Sequence, residues 1–108
     1  MATVFDLKQD DIFPALRARL RDGRGTAIDL SLATVAFRMR ATGGALKIDD
    51  AACDVVDAAG GIVEYQWAAG DTDTPGTYDG EFVISYAGGV QTVPATGYVS
   101  IVVSANLA

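Results

Sequence analysis

The segment from Asp71 to Tyr86 (DTDTPGTYDGEFVISY) constrains the fold of this chain more than any other. Pro75 pre-sets φ and Gly76 tolerates positive φ, so the segment opens on a turn. A long period-two pattern follows at once. Tyr78, Gly80, Phe82, Ile84 and Tyr86 fall on one face, and Thr77, Asp79, Glu81 and Ser85 on the other, with Val83 the exception. A strand of that length, entered through a tight corner, is expected at the centre of a β-sandwich. Tyr78 fits a tyrosine corner, in which the phenol hydroxyl ties the corner to nearby backbone. An ordinary amphipathic strand can carry a Tyr at the same place, so both readings stand.

The rest of the chain repeats the pattern in shorter pieces. Thr3 to Lys8 reads as an edge strand. From Ala15 to Arg21, Leu16, Ala18 and Leu20 alternate with Arg17, Arg19 and Arg21. Ala, Leu and Arg are good helix formers, but helical spacing would mix Arg and Leu on every face, whereas period two separates them. Asp22-Gly23-Arg24-Gly25 is a turn. Thr34 to Ala41 alternates again, with Val35, Phe37 and Met39 inward and Arg38 and Arg40 outward. Leu46 to Val56 reads as two short strands around Asp49-Asp50, or as irregular chain. Ile62 to Trp67 places Val63, Tyr65 and Trp67 on one face. After the strand ending at Tyr86, Ala87-Gly88-Gly89 turns into Val90–Val93, Pro94 marks an edge, bulge or break, and Tyr98–Val103 is the final strand. Ser104 to Ala108 is expected to fray or project. About seven to nine short strands with turn signals between them predict an all-β domain spanning 1–108, a sandwich or barrel. Its expected core and corner are Phe37, Tyr65, Trp67, Tyr78, Phe82 and Ile84.

Composition excludes several functions. No apolar run approaches the length of a membrane span, and no basic-then-apolar leader is visible. A net charge of −6 argues against nucleic acid. The lone Cys53 can form no intrachain disulfide, and a reducing compartment is the expectation. The chain has no His, which removes the usual general base and any Ser-His or Cys-His arrangement. No cofactor is expected. Asp71-x-Asp73-x-Pro75-Gly76 resembles the start of a calcium loop, but Pro75 stands at the fifth position and Phe82 at the twelfth, where oxygen ligands are needed. Asp49, Asp50, Asp54 and Asp57 could cluster around a hard cation, but Asp is common in turns for its own backbone bonding, so no metal site is assigned.

Charge is segregated along the chain. Arg17, Arg19, Arg21, Arg24, Arg38 and Arg40 are six of the eight basic residues, and none follows Asp49. Unlike faces of that kind suit electrostatic docking; solvated strand faces are the alternative. Arg17, Arg19, Arg38 and Arg40 point away from the expected core and are the candidate partner contacts.

The order of signals resembles a known family. Lys8-Gln9-Asp10-Asp11 leads through Pro14 to Leu20-Arg21-Asp22-Gly23, and Ile28-Asp29-Leu30 and Ala33–Arg40 follow. The second half runs Gly61-Ile62-Val63-Glu64-Tyr65-Gln66-Trp67, Gly70-Asp71-Thr72, Pro75-Gly76-Thr77-Tyr78, Glu81-Phe82 and Gln91-Thr92-Val93-Pro94. This resembles the N-terminal domain of tailed-phage baseplate upper proteins and the small stand-alone virion proteins that share its pattern. The resemblance spans nearly the whole chain and rests on turn and core positions. It implies an immunoglobulin-like β-sandwich serving as an attachment module. The partners implied are other phage structural proteins, contacted in multiple copies within a symmetric assembly. The implied location is the virion, and the host cytoplasm before assembly. The multi-domain members continue into helical, receptor-proximal parts that this sequence lacks, which shifts the expectation toward an adaptor of the tail, baseplate or neck, or a capsid decoration protein. A carbohydrate-binding sandwich using Trp67 or Tyr86 as a stacking platform is the competing reading. An enzyme is the weakest.

Overall fold

Alternating apolar and polar residues drive this chain into strands that bury one face each. The computed structural model describes residues 4–94 and 98–107. Within them the strands are β1 (Val4–Lys8), β2 (Leu16–Arg19), β3 (Thr34–Ala41), β4 (Leu46–Ala52), β5 (Asp54–Asp57), β6 (Ile62–Tyr65), β7 (Gly76–Tyr86), β8 (Gly89–Val93) and β9 (Val99–Ser104). They form two sheets packed as a sandwich-like all-β globule. One has the order β1-β9-β7-β3-β4, with β8 also on β7, and the other the order β2-β6-β5.

β7 is the spine. One of its edges pairs with β3 from Tyr78 to Ser85. The other carries two strands in tandem, β9 against Gly76–Gly80 and β8 against Phe82–Tyr86. Pro94 ends β8, where its missing N–H interrupts no ladder. The Ala95-Thr96-Gly97 connection expected from sequence, like Thr3 and Ala108, lies outside the described residues. β1 runs parallel to β9 and closes that side of the sheet.

The core forms between the sheets. Leu16, Leu20, Val63 and Tyr65 meet Val35, Phe37, Met39, Phe82, Ile84, Ile101 and Val103. Phe37 sits at its centre, with ring centroids 5.1 Å from Tyr65, 5.9 Å from Trp67 and 5.1 Å from Phe82. Burying each such side chain contributes roughly 1.5–3 kcal/mol. The close approach of Phe37 to β7 depends on Gly80, where a Cβ would stand 2.9 Å from two ring carbons.

Two stretches depart from the sequence-based expectation. Leu46–Ala52 is a single strand rather than two pieces broken at Asp49-Asp50. Its register against β3 shifts at a bulge, with Asp50 at φ 53°, a backbone state that Asp tolerates better than most residues. The chain then changes sheets at Cys53, whose amide still bonds the Val35 carbonyl. The second departure is Trp67. It lies beyond the end of β6, yet its ring is only 2 % exposed. The C-terminal segment is partly tied down, since Gln9 donates its amide to Ser104 and Asn106 donates to the Gln9 carbonyl.

Candidate functional site

Strand alternation places the four candidate arginines on two surfaces rather than one. Arg17 and Arg19 point outward from β2 and Arg38 and Arg40 outward from β3, so the two pairs occupy opposite outer faces of the sandwich. The sequence pattern showed that all four leave the core. It could not show that they leave it in opposite directions.

On the outer face of the larger sheet, both arginines are bracketed by carboxylates. Arg38 Nε donates to Asp50 at 2.9 Å and Nη1 approaches Glu81 at 3.5 Å. The Asp50 hydrogen bond holds the guanidinium pKa above its ordinary value. Arg40 lies over the Tyr98 ring, 5.3 Å from the centroid, and donates to its hydroxyl at 3.3 Å. Its Nε stands 3.9 Å from Asp79 and, though buried, makes no hydrogen bond. Arg38, Arg40, Asp79, Glu81 and Tyr98 line a shallow recess of about 230 Å³ together with Gly44 and Leu46. Its charges are locally balanced, so it presents paired donors and acceptors rather than a net field.

The smaller sheet is arranged differently. Arg17 donates from Nη2 to Glu64 at 2.7 Å on the neighbouring strand. Arg19 enters no ion pair among the described residues. Across the sheet the register aligns Arg17 with Glu64 and Glu64 with Asp54, and likewise Arg19 with Ile62 and Ile62 with Asp57. One edge of the outer face is therefore basic and the other acidic. Glu64 and Tyr98 were not singled out from sequence, and Asp54 and Asp57 were weighed there only as turn residues or cation ligands. Only the strand register, which a single sequence does not reveal, brings them into relation with the arginines.

The predicted core and corner residues Phe37, Tyr65, Trp67, Tyr78, Phe82 and Ile84 are all buried. The burial of Trp67 overturns the suggestion that it offers a stacking surface for sugar, because neither ring face reaches solvent. Tyr86 is half-buried, with its hydroxyl donating to Gln91 at 3.3 Å.

The acidic turns are occupied by their own backbone and neighbours. Asp71 accepts from the Tyr65 hydroxyl at 2.6 Å and the Ala68 amide at 2.7 Å. Burial, and then the Asp71 bond, push the Tyr65 hydroxyl pKa upward. Asp73 accepts from Lys47 at 2.7 Å, which lowers the pKa of the carboxyl and raises that of the amine. Among the described residues no three His, Cys, Asp or Glu side chains converge as a metal site. Burial, and then the neighbouring Asp54, push the Cys53 thiol up to about 12, so little nucleophilic thiolate is present near neutral pH. No family model matches the chain, and no curated protein matches it.

Proposed function

We propose that this chain is a non-enzymatic structural module of tailed-phage particles, an immunoglobulin-like sandwich that attaches one particle component to another in the tail, baseplate or neck. The observation that carries the fold half of this reading is the strand order. The second, fifth and sixth strands share one sheet, while the third, seventh and last strands share the other, as the B, D, E and C, F, G strands of immunoglobulin domains do. Two details support it further. The Tyr78 hydroxyl bonds backbone just upstream of the long strand, and two residues on, Gly80 accommodates the Phe37 ring where antibody domains place an inter-sheet cysteine.

The functional half rests on the resemblance in turn and core positions, together with a surface built of charged strand faces. Arg17 and Arg19 are both exposed and are the proposed contacts. Arg38 and Arg40 are engaged with Asp50, Glu81, Asp79 and Tyr98, so they act mainly within the chain.

Cryo-electron microscopy of virions from the phage or prophage that encodes this chain tests the proposal. Density for the sandwich in the tail, baseplate or neck supports it. Density on the capsid shell replaces it with a decoration role, and absence from the particle overturns it.

A further inference from the structure

The two-sided charge of the smaller sheet has a geometric meaning. In the order β2-β6-β5, β2 and β5 each keep one edge without a partner strand among the described residues. The Leu20 amide bonds inward to the Gly61 carbonyl. Antiparallel alternation then turns the amides and carbonyls of Leu16 and Ala18 toward β6 and those of Arg17 and Arg19 toward the open edge. The open edge of β5 carries Val55 and the bulged Val56, which are 37 % and 47 % exposed. Beside these valines lie exposed Asp54 and Asp57, aligned with Glu64 and Ile62 of the outer face, with the Asp57 carboxylate also accepting from the Gly60 amide at 3.1 Å.

We infer that the β5 edge of one copy docks against the β2 edge of a second copy of this chain, extending the three-stranded sheet from protomer to protomer. Charge selects this arrangement over a two-fold dimer. Pairing β2 with β2 sets Arg17 and Arg19 against their own equivalents, and pairing β5 with β5 sets Asp54 and Asp57 against theirs. Like charges directly opposite one another are destabilising. The head-to-tail contact continues both existing rows instead. Asp54 meets the next copy's Arg17 beyond Glu64, and Asp57 meets its Arg19, which has no ion-pair partner within its own chain among the described residues.

Within one copy β2 and β5 both run antiparallel to β6, so copies that keep the same orientation join through a parallel pair. Both edge strands are only four residues long and β5 is bulged. Such edges are blunted against indiscriminate strand addition, which leaves the charges to choose the partner. A head-to-tail contact of this kind generates a ring if it closes and a filament if it does not. The inference goes beyond the virion reading and does not depend on it, because it concerns the isolated chain.

Sedimentation velocity of the full chain at low ionic strength tests it. Self-association that weakens with added salt is expected. A variant carrying Arg17→Glu and Arg19→Glu should be monomeric, and so should one carrying Asp54→Lys and Asp57→Lys. An equimolar mixture of the two should associate again, because each then supplies the edge charge that the other lacks. Circular dichroism establishes that each variant is folded. If either double variant fails to fold, the single changes Arg19→Glu and Asp54→Lys decide, each expected to weaken association at least several-fold. A wild-type chain that stays monomeric up to about 1 mM overturns the inference. So does association unaffected by the charge changes, or a mixture of folded double variants that stays monomeric.

Discussion

The Tyr78 hydroxyl donates to the Thr74 carbonyl oxygen at 2.5 Å, bridging from inside the long central strand back to the turn that feeds it. Tyr78 itself is buried, whereas Thr74 is exposed. In Tyr78→Phe, water can reach the released carbonyl, so the loss is that of one hydrogen bond, about 0.5–1.5 kcal/mol. Urea unfolding should show a lower midpoint with an unchanged slope. An unchanged midpoint would remove the corner bond from the account of the fold.

Gly80 and Phe37 make the opposite kind of prediction. A methyl group at position 80 would stand 2.9 Å from two carbons of the Phe37 ring. Phe37 is wedged among Tyr65, Trp67 and Phe82 and has no room to retreat. Gly80→Ala should therefore destabilise by about 1–3 kcal/mol through overpacking, although Ala is usually the better residue within a strand. Thermal denaturation checks the sign.

Truncating Phe82 tests the inward face of β7. The ring is 1 % exposed and packs on Phe37, so Phe82→Ala should cost about 3–5 kcal/mol. A melting temperature equal to wild type would place Phe82 outside the core.

Cys53 should behave as an inert thiol. With its pKa pushed up from 9.0 to about 12, labelling by a thiol reagent near neutral pH should be slow and should accelerate when denaturant opens the fold. The same shift has a sign for stability. The folded chain holds this proton more tightly, so the contribution is complete below 9.0 and is lost as pH rises toward about 12. Rapid labelling of the folded chain would show that the strand-switching segment opens readily.

Lys47 and Asp73 supply the acid counterpart. The lysine bond lowers the Asp73 pKa below its ordinary 3.8. The folded state therefore binds this proton less readily than the unfolded state. The stabilisation is present above 3.8 and is lost as pH falls through the lowered folded value. Melting temperatures measured from about pH 5 to pH 2 should fall less steeply for Asp73→Asn than for wild type.

How much of this was legible in the sequence depended on where the information lay. β3 and β7 were plain because Val35, Phe37, Met39 and Tyr78, Phe82, Ile84 recur at period two, with Val83 the one break. Leu46–Val56 was opaque because a bulge at Asp50 breaks its period and Cys53 hands the chain to the other sheet, so the inward face changes identity midway. Trp67 was correctly placed in the core by periodicity, although the strand that carries the pattern ends at Tyr65. The surface was the least legible part. Arg38 finds Glu81, Arg40 finds Tyr98 and Arg17 finds Glu64 across 40 or more positions of sequence. Only strand register sets those meetings.

The parallel pairing of β1 with β9 carries a mechanical consequence. Val4 lies beside Ser100 and Lys8 beside Ser104, so the first strand leads away from one end of the pair and the last strand from the other. Tension applied through the two ends of the described chain slides these strands lengthwise past each other. The five paired positions resist together instead of peeling apart one at a time. Yielding under such a load is governed by the rate of crossing that barrier rather than by equilibrium stability. A small sandwich of modest thermodynamic stability can thus hold firm in the one direction along which its own ends are pulled.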